Sequence, residues 1–136
     1  MAAIDRREVS NAIRDRLAAQ IGWITGVEVS ERTLAAPCII VDPLQGGTLS
    51  RMLDDAQTVQ QGTLPYQLTC VGVAGDAGRE QAEYLATAAI DALTGWTDGV
   101  VARVHVDGWG NVRPDHDVQP PVWISQPLVR ATARSL

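Results

Sequence analysis

The stretch from Thr63 to Trp96 constrains the fold most, because a strand pattern runs directly into a helix pattern there. In its first part, alternate side chains fall on opposite faces, as they do along a β-strand. One face carries Tyr66, Leu68 and Cys70. In its second part, apolar residues recur at helical spacing: Ala82, Leu85, Ala86, Ala89, Ile90 and Leu93. The sequence predicts a half-buried strand followed by a helix that packs back onto its own sheet.

Both ends of this helix have sequence signals. Asp76 is predicted to cap the N-terminus through its carboxylate, and Gly95 is predicted to end the helix. The glycines between strand and helix, Gly72, Gly75 and Gly78, do not have the spacing of a nucleotide-binding G-x-G-x-x-G motif. We interpret them as a tight turn.

Shorter patterns define the other elements. Apolar residues four apart predict a helix over Asp5–Ile21, with Asp5 as its N-terminal cap. A continuous apolar run after Pro37 predicts a buried strand over Cys38–Val41. Alternation or apolar runs predict further extended segments: a short one over Val27–Ser30, a strand over Val100–Val106, and a last strand that Pro127 interrupts, over Val122–Ile124 and Leu128–Arg134. In the second of these, Val100, Ala102, Val104 and Val106 are expected on the inner face.

Two segments are predicted to be long loops, Leu44–Gly62 and Asp107–Pro121. Connections of this length are usually functional. The predicted fold class is therefore α+β: a two-layer domain with a mainly antiparallel or mixed sheet of about four strands, and both helices packed on one face. A length of 136 residues suits a single domain spanning 1–136.

Composition excludes several classes of function. A net charge of −5 disfavours the wrapping of nucleic acid, which needs a basic face. No apolar run approaches the length of a membrane span, so no membrane partner is expected. Cys38 and Cys70 form no C-x-x-C motif, and we expect both to be reduced.

One cluster of polar residues suggests an alternative function, catalysis at a metal site. It consists of His105, Asp107, Asp115, His116 and Asp117. Two histidines and two aspartates are able to build an open metal site, which would make the protein a small metal-dependent enzyme. The spacing matches no standard ligand motif, and carboxylates on a proline-bounded loop are ordinarily solvated. We therefore predict no catalytic residue, no metal and no cofactor.

Several phrases of the sequence carry a family resemblance. The segment Pro-Tyr-Gln-Leu-Thr-Cys-Val-Gly runs into a helix with Arg-Glu-Gln-Ala-Glu-Tyr-Leu. It is preceded by Pro-Cys-Ile-Ile-Val-Asp-Pro and followed by Val-Asp-Gly-Trp-Gly-Asn-Val-Arg-Pro-Asp. From Val9 to about Arg134, the chain resembles the tail terminator (tail completion) proteins of long-tailed siphophages, especially those of actinobacterial hosts.

The resemblance implies a structural virion protein without enzymatic activity, made in the host cytoplasm and located in the tail. Such a protein forms a homo-hexameric ring on the tail tube protein, ends tube polymerisation and presents a surface to the head-tail connector or neck protein. DNA passes through the ring without sequence-specific binding. A neck or head-completion adaptor of the same particle is the alternative that the resemblance leaves open.

The two predicted loops supply the candidate subunit or tube interface. They contain apolar residues that a solvated loop does not need, with arginines next to carboxylates. The candidate residues are Leu49, Arg51, Met52, Leu53, Asp54, Asp55, Trp109, Arg113 and Asp115.

Overall fold

The helices and strands are taken from a computed structural model, which describes residues 5–22, 28–30, 36–44, 48–54 and 57–134. Helix α1 spans Arg6–Leu17 and continues into a π-helical turn, Ala18–Gly22, and helix α2 spans Asp76–Leu93. The described strands are β1 (Glu28–Ser30), β2 (Cys38–Pro43), β3 (Thr48–Asp54), β4 (Gln57–Gly72), β5 (Val101–Gly108), β6 (Arg113–Asp115), β7 (Val122–Ser125) and β8 (Leu128–Arg134).

Strand β4 is the axis of the sheet, and other strands pair with it on both sides. On one side, β2 and β3 follow one another along β4, both antiparallel to it. On the other side, β8 pairs with the first part of β4 and β7 pairs with its end. Beyond these, β1 is parallel to β2, whereas β5 and β6 are antiparallel to β8 and β7.

The main core lies between the two helices and one face of this sheet. Directly paired residues share a face, so the pairs Ile39–Cys70 and Val41–Leu68 point together toward the helices. The helices contribute Val9, Ile13, Leu17, Leu85, Ala89 and Leu93 to the same cluster. This arrangement confirms the predicted α+β fold with both helices on one face.

Helix α1 begins as the sequence predicts. The Oδ1 atom of Asp5 accepts a hydrogen bond from the backbone N–H of Arg7 at 2.9 Å, which satisfies one of the free amides of the first turn. The apolar residues four apart that predicted this helix are all buried, from Val9 through Ile13 and Leu17 to Ile21 in the π-helical turn. Neither of the described helices has the length and apolar character needed to cross a bilayer.

The start of helix α2 differs from the prediction. Its N-cap is Gly75, with φ 96° and no side-chain capping bond, so the prediction that Asp76 caps the helix is wrong. A left-handed backbone at Gly75 turns the chain directly from β4 into the helix, which leaves Asp76 inside the first turn. The predicted end is confirmed, because the helix stops at Leu93 and Gly95 has φ 73°.

The segment Leu44–Gly62 is not a loop. It contributes β3 and the first part of β4, which form an antiparallel hairpin in register from Thr48–Thr63 to Asp54–Gln57. Gly62 does not close a loop, because it is a buried strand residue that pairs with both Leu49 and Ala133. The ladder between β3 and β4 supplies backbone hydrogen bonds along this polar sequence, so it forms strand without an alternating pattern.

The segment Asp107–Pro121 is also more ordered than predicted. Strand β5 continues through Asp107 to Gly108, and β6, which lies inside the predicted loop, pairs with β7 just after it. The alternation of inward and outward side chains along β5 also differs from the prediction. A register shift between Val101 and Arg103 brings Val101, which was predicted to face outward, fully into the core. A bulge that inserts an extra residue reverses alternation on one side of it.

Cys38 and Cys70 are buried on neighbouring strands, and they are not joined by a disulfide. Cys38 is opposite Val71 and Cys70 is opposite Ile39, so the two side chains point to opposite faces of the sheet. Burial, and secondarily the nearby Cys38, raises the pKa of Cys70 to about 12.

We expect Cys70 to resist alkylation in the native protein, because the thiolate is the reactive form and burial disfavours it. At pH 8, iodoacetamide should modify this thiol only after denaturation, as measured by intact mass and peptide mapping. Freshly purified protein should have the mass of two thiols. A mass lower by two protons would contradict this expectation.

Candidate functional site

The first candidate surface is the far part of the hairpin. Strand β8 pairs with β4 as far as Gln61, opposite Arg134. Past that point β3 and β4 continue as a two-stranded β-arm, which we define as Arg51–Asp54 and Gln57–Gln60. Among the described strands, the residues of the β-arm pair only with each other. Both of its outer edges therefore present backbone groups that no described strand pairs with.

Most of the predicted interface residues of the first segment lie on β3. Leu49 pairs within the wider sheet, whereas Arg51, Met52, Leu53 and Asp54 belong to the β-arm. Asp54 occupies the last pair of the ladder, opposite Gln57. Asp55 lies outside the described residues. The structure thus unites most of these positions on one projecting element.

The second candidate surface surrounds Trp109, which follows the end of β5. Its side chain is 58% exposed. The next residue, Gly110, has φ 73°, and a Cβ atom there would lie 2.8 Å from the backbone carbon of Gln126. Only glycine combines this backbone angle with so close an approach. Trp109 is therefore presented on a short turn held against the neighbouring strand connection.

Arg113 and Asp115 lie at the two ends of β6 and are engaged locally. Arg113 Nη2 donates to Gln126 Oε1 at 2.6 Å, and Gln126 in turn donates to Thr69 Oγ1. Asp115 Oδ1 accepts from the backbone N–H of Asp117 at 3.1 Å. Although Arg113 is close to carboxylates in the sequence, its hydrogen-bond partner is an amide of the same chain. These contacts order the turn that carries Trp109.

A groove of about 570 Å³ separates Trp109 from helix α2. Arg79 and Glu83 of the helix and Asn111 of the turn line it. The Arg79 guanidinium also lies 5.9 Å from the centre of the Trp123 ring, and Trp123 Nε1 donates to the carbonyl of Gly75 at 3.0 Å. The groove thus has helix α2 on one side and the exposed Trp109 side chain on the other.

The structure does not bring the two candidate surfaces together. The β-arm extends from the Gln57 end of β4, whereas Arg113 and Asp115 are aligned through β7 with its Gly72 end. At about 3.3 Å per residue, the strand between these ends is roughly 50 Å long. Two distant surfaces on one subunit suit head-to-tail contacts better than a two-fold contact.

The polar cluster considered for catalysis is dispersed in the structure. His105 and Asp107 share the exposed face of β5, as predicted. Asp107, however, forms an ion pair with Arg130, whose Nε lies 2.9 Å from Oδ1 and 2.7 Å from Oδ2 of the carboxylate. Among the described residues, no three His, Cys, Asp or Glu side chains lie close enough to hold a metal ion.

Sequence reasoning missed a third surface, a recess of about 360 Å³ between α1 and the base of the hairpin. Three arginines line it, Arg6, Arg7 and Arg14, together with Ser10 and Tyr66. We refer to it as the arginine recess. The α1 sequence correctly predicts that these arginines lie outside the core, but the recess exists only because Leu44 and Pro65 pack beside them.

The floor of the arginine recess is polar. The Tyr66 hydroxyl and Ser10 Oγ are 2.9 Å apart and share a hydrogen bond. Burial raises the pKa of Tyr66, while the Ser10 hydrogen bond and the charges of Arg6 and Arg14 act in the opposite direction. The positive charges of these arginines therefore act on the same point at the bottom of the recess.

Comparison with known proteins gives a likeness in structure. No protein-family model matches the sequence, and no curated protein matches it. The structure is similar to a chain in a solved structure titled "Virion of native gene transfer agent (GTA) particle", with a TM-score of 0.52 and 17% sequence identity. The match covers 93% of this chain and 95% of that chain. At this identity, the likeness shows a shared fold over nearly the whole length.

Proposed function

We propose that the protein is a structural component of a phage-type virion, and that it caps the tail tube as a ring. The observation that carries the proposal is the fold likeness to a chain of a virion particle, which extends over 93% of this chain. The motifs shared with tail terminator proteins support the more specific role. In that role the protein ends tube polymerisation and forms the surface that joins the head.

The β-arm supports assembly into a ring. An isolated two-stranded ribbon is marginally stable in water, and its unpaired edges are able to accept another chain. Packing on a neighbouring subunit would therefore stabilise the β-arm. When one surface of a subunit contacts a different surface of the next subunit, the contact is heterologous. Repeated heterologous contacts close into a ring if the rotation from one subunit to the next divides a full turn. Six subunits are the number that the family resemblance implies.

Trp109 supports a second contact, with the tube or with the head side. Tryptophan residues are enriched among the side chains that dominate binding energy at interfaces. This one is exposed, held on an ordered turn and next to a groove. The proposed partners are thus further copies of the chain, the tail tube protein and a connector or neck protein.

The proposed role needs no catalytic residue and no cofactor, and the net charge of −5 suits a lumen through which DNA passes.

The test removes the β-arm without disturbing the sheet. Replacing Arg51–Gln60 by Asn-Gly joins Ser50 to Gln61, which are register partners, through a favourable two-residue turn. Because the pairing of β4 with β8 is retained, we expect the variant to fold. It should fail to form rings on purified tail tubes. In a tail assembly reaction it should leave tubes of uncontrolled length, as measured by electron microscopy.

The control is the unfolding free energy of the variant, which should stay within about 2 kcal/mol of wild type if the core is intact. Tails of normal length with the folded variant would contradict the role of the arm. If wild-type protein has no effect on tube length but is needed to attach heads, the protein is a neck adaptor and the terminator proposal is wrong.

A further inference from the structure

We propose that neighbouring copies in the ring join edge to edge, with β3 of one copy pairing antiparallel with β5 of the next. This inference rests on the proposed ring and specifies its subunit contact. Among the described strands, β3 pairs only with β4 and β5 pairs only with β8, so each leaves one edge of the sheet open. Open edges accept a further strand through main-chain hydrogen bonds. The partner at each edge is thus a second copy of this chain.

The directions of the strands suit this contact. Strands β3, β4, β8 and β5 follow one another across the sheet, and each is antiparallel to its neighbour. Because the directions alternate, β3 and β5 run in opposite directions at the two margins of the sheet. A rotation about a ring axis preserves the direction of each strand along that axis. When β3 of one copy meets β5 of the next, the pair is therefore antiparallel and the alternation continues.

The backbone of β5 has groups directed to its open edge. Arg130 of β8 lies between His105 of β5 and Pro65 of β4. The Pro65 carbonyl accepts from the backbone N–H of Leu44 at 2.9 Å, on the far side of β4 from β8. Since the hydrogen-bonding direction alternates along antiparallel strands, Arg130 bonds to β5 and His105 bonds back to β8. The residues before and after His105 therefore direct their N–H and C=O groups to the open edge.

The open edge of β3 follows from the same alternation. Along β4, every second residue from Pro65 back to Gln57 is directed to the side that β3 occupies, and its partner on β3 bonds back. The residues with outward-directed backbone groups are Leu49, Arg51 and Leu53 on β3, and Val104 and Val106 on β5. The two edges are also similar in length, with seven residues in β3 and eight in β5.

The two edges are staggered along the sheet by an amount that a closed sheet tolerates. Arg51 is level with Gln60 of β4, whereas Val104 is level, through Ala131, with Leu64. Pairing Arg51 with Val104 of the next copy therefore shifts the sheet by four residues over four strands. In closed barrels, a shift of one residue per strand corresponds to a strand tilt of roughly 36°. This register is therefore the expected one.

The experiment is disulfide trapping in full-length protein assembled on tail tubes. In the expected register, Ser50 meets His105 and Met52 meets Arg103 of the next copy, at non-hydrogen-bonded positions about 4.5 Å apart between Cα atoms. This distance suits a disulfide. The double variants S50C/H105C and M52C/R103C, oxidised after assembly, should give a ladder of covalent multimers that ends at the ring size. The buried Cys38 and Cys70 remain in all variants.

The mismatched variant S50C/R103C is the first control, because diagonal positions on paired strands are about 7–8 Å apart, too far for the bond. The second control is M52C/E83C, since Glu83 is exposed on α2, away from both edges. Neither should give the ladder. The single variants M52C and R103C should give no covalent dimers within rings.

Hydrogen exchange measures the same contact without cysteines. The amides of Val104 and Val106 should exchange at least about tenfold more slowly in rings than in dilute isolated copies, because pairing protects them. The amide of His105, already bonded to β8, should exchange slowly in both states and is the internal control. Mass spectrometry with residue-level fragmentation resolves the three amides.

Three outcomes overturn the proposal. If rings form but neither matched pair gives the ladder, these edges are not the contact, although the ring itself stands. If R103C or M52C alone links copies, equal edges pair about a two-fold axis. If Val104 and Val106 are protected while R103C links only to the tube protein, the added strand comes from the tube. Failure of the wild type to form rings would instead reject the proposed function.

Discussion

Replacing Gly78 by Ala should destabilise the protein by at least about 3 kcal/mol, because the new methyl group meets backbone that cannot move away. A Cβ atom at Gly78 would overlap the carbonyl oxygen of Val73 and lie 2.9 Å from Trp123 Cδ1. Three hydrogen bonds hold the junction between β4 and α2 in place. Val73 N–H donates to Gln81 Oε1 at 2.9 Å, and the Gly75 carbonyl accepts from both Trp123 Nε1 and Gly78 N–H.

The control for Gly78→Ala is Gly99→Ala. Gly99 is exposed, a Cβ atom there meets nothing within 4 Å, and its backbone is not left-handed. Its substitution should change the unfolding free energy by less than about 0.5 kcal/mol. Urea unfolding followed by tryptophan fluorescence measures both. A loss below about 1 kcal/mol for Gly78→Ala would mean that β4 and α2 are not packed this closely.

Replacing Leu85 by Ala should cost about 2–5 kcal/mol, because it leaves a cavity in the main core. Leu85 is 1% exposed and belongs to the cluster that includes Tyr66 and Leu68 on the sheet face. Alanines at neighbouring positions of α2 hold the helix close to the sheet. The surrounding residues are therefore poorly able to fill the cavity, so we expect a large decrease in the unfolding free energy.

Tyr84→Ala is the matched control for Leu85→Ala, since it is the adjacent residue of the same helix and is 57% exposed. It should cost less than about 1 kcal/mol, mostly from lost surface packing. Equal losses at the two positions, measured by urea unfolding, would show that α2 is rotated about its axis relative to the sheet.

Local pattern was sufficient where one element packs by one face against one layer. Helix α2 and the central part of β4 follow their periodicities, because burial of a single face enforces alternation on a strand and 3.6-residue spacing on a helix. For the same reason, α1 and β8 were predicted with nearly their observed bounds. Of the three glycines interpreted as a tight turn, Gly75 lies in the turn itself, whereas Gly72 ends β4 and Gly78 lies in the first turn of α2, where strand and helix approach closely.

The periodicity of apolar residues was misleading where pairing with other strands decides the conformation. In β3 and the first part of β4, the ladder supplies hydrogen bonds whatever the side chains are, so a polar segment forms strand without alternating. At Ala102 a bulge reverses the phase of β5, and its position depends on the register with β8. Neither feature leaves a signal in a short window of sequence.

The candidate surfaces divide in the same way. The sequence determined that Trp109 and the residues from Leu49 to Asp55 are poor choices for an ordinary solvated loop, and it determined that Arg6, Arg7 and Arg14 lie outside the core. The tertiary structure decided that Arg51–Asp54 form one strand of the β-arm, that Trp109 lies toward the other end of the sheet, and that the three arginines line one recess. The physical reason is that these placements arise from contacts between residues far apart in the chain, such as Tyr66 with Ser10. Such contacts depend on strand register and helix docking, which local periodicity does not encode.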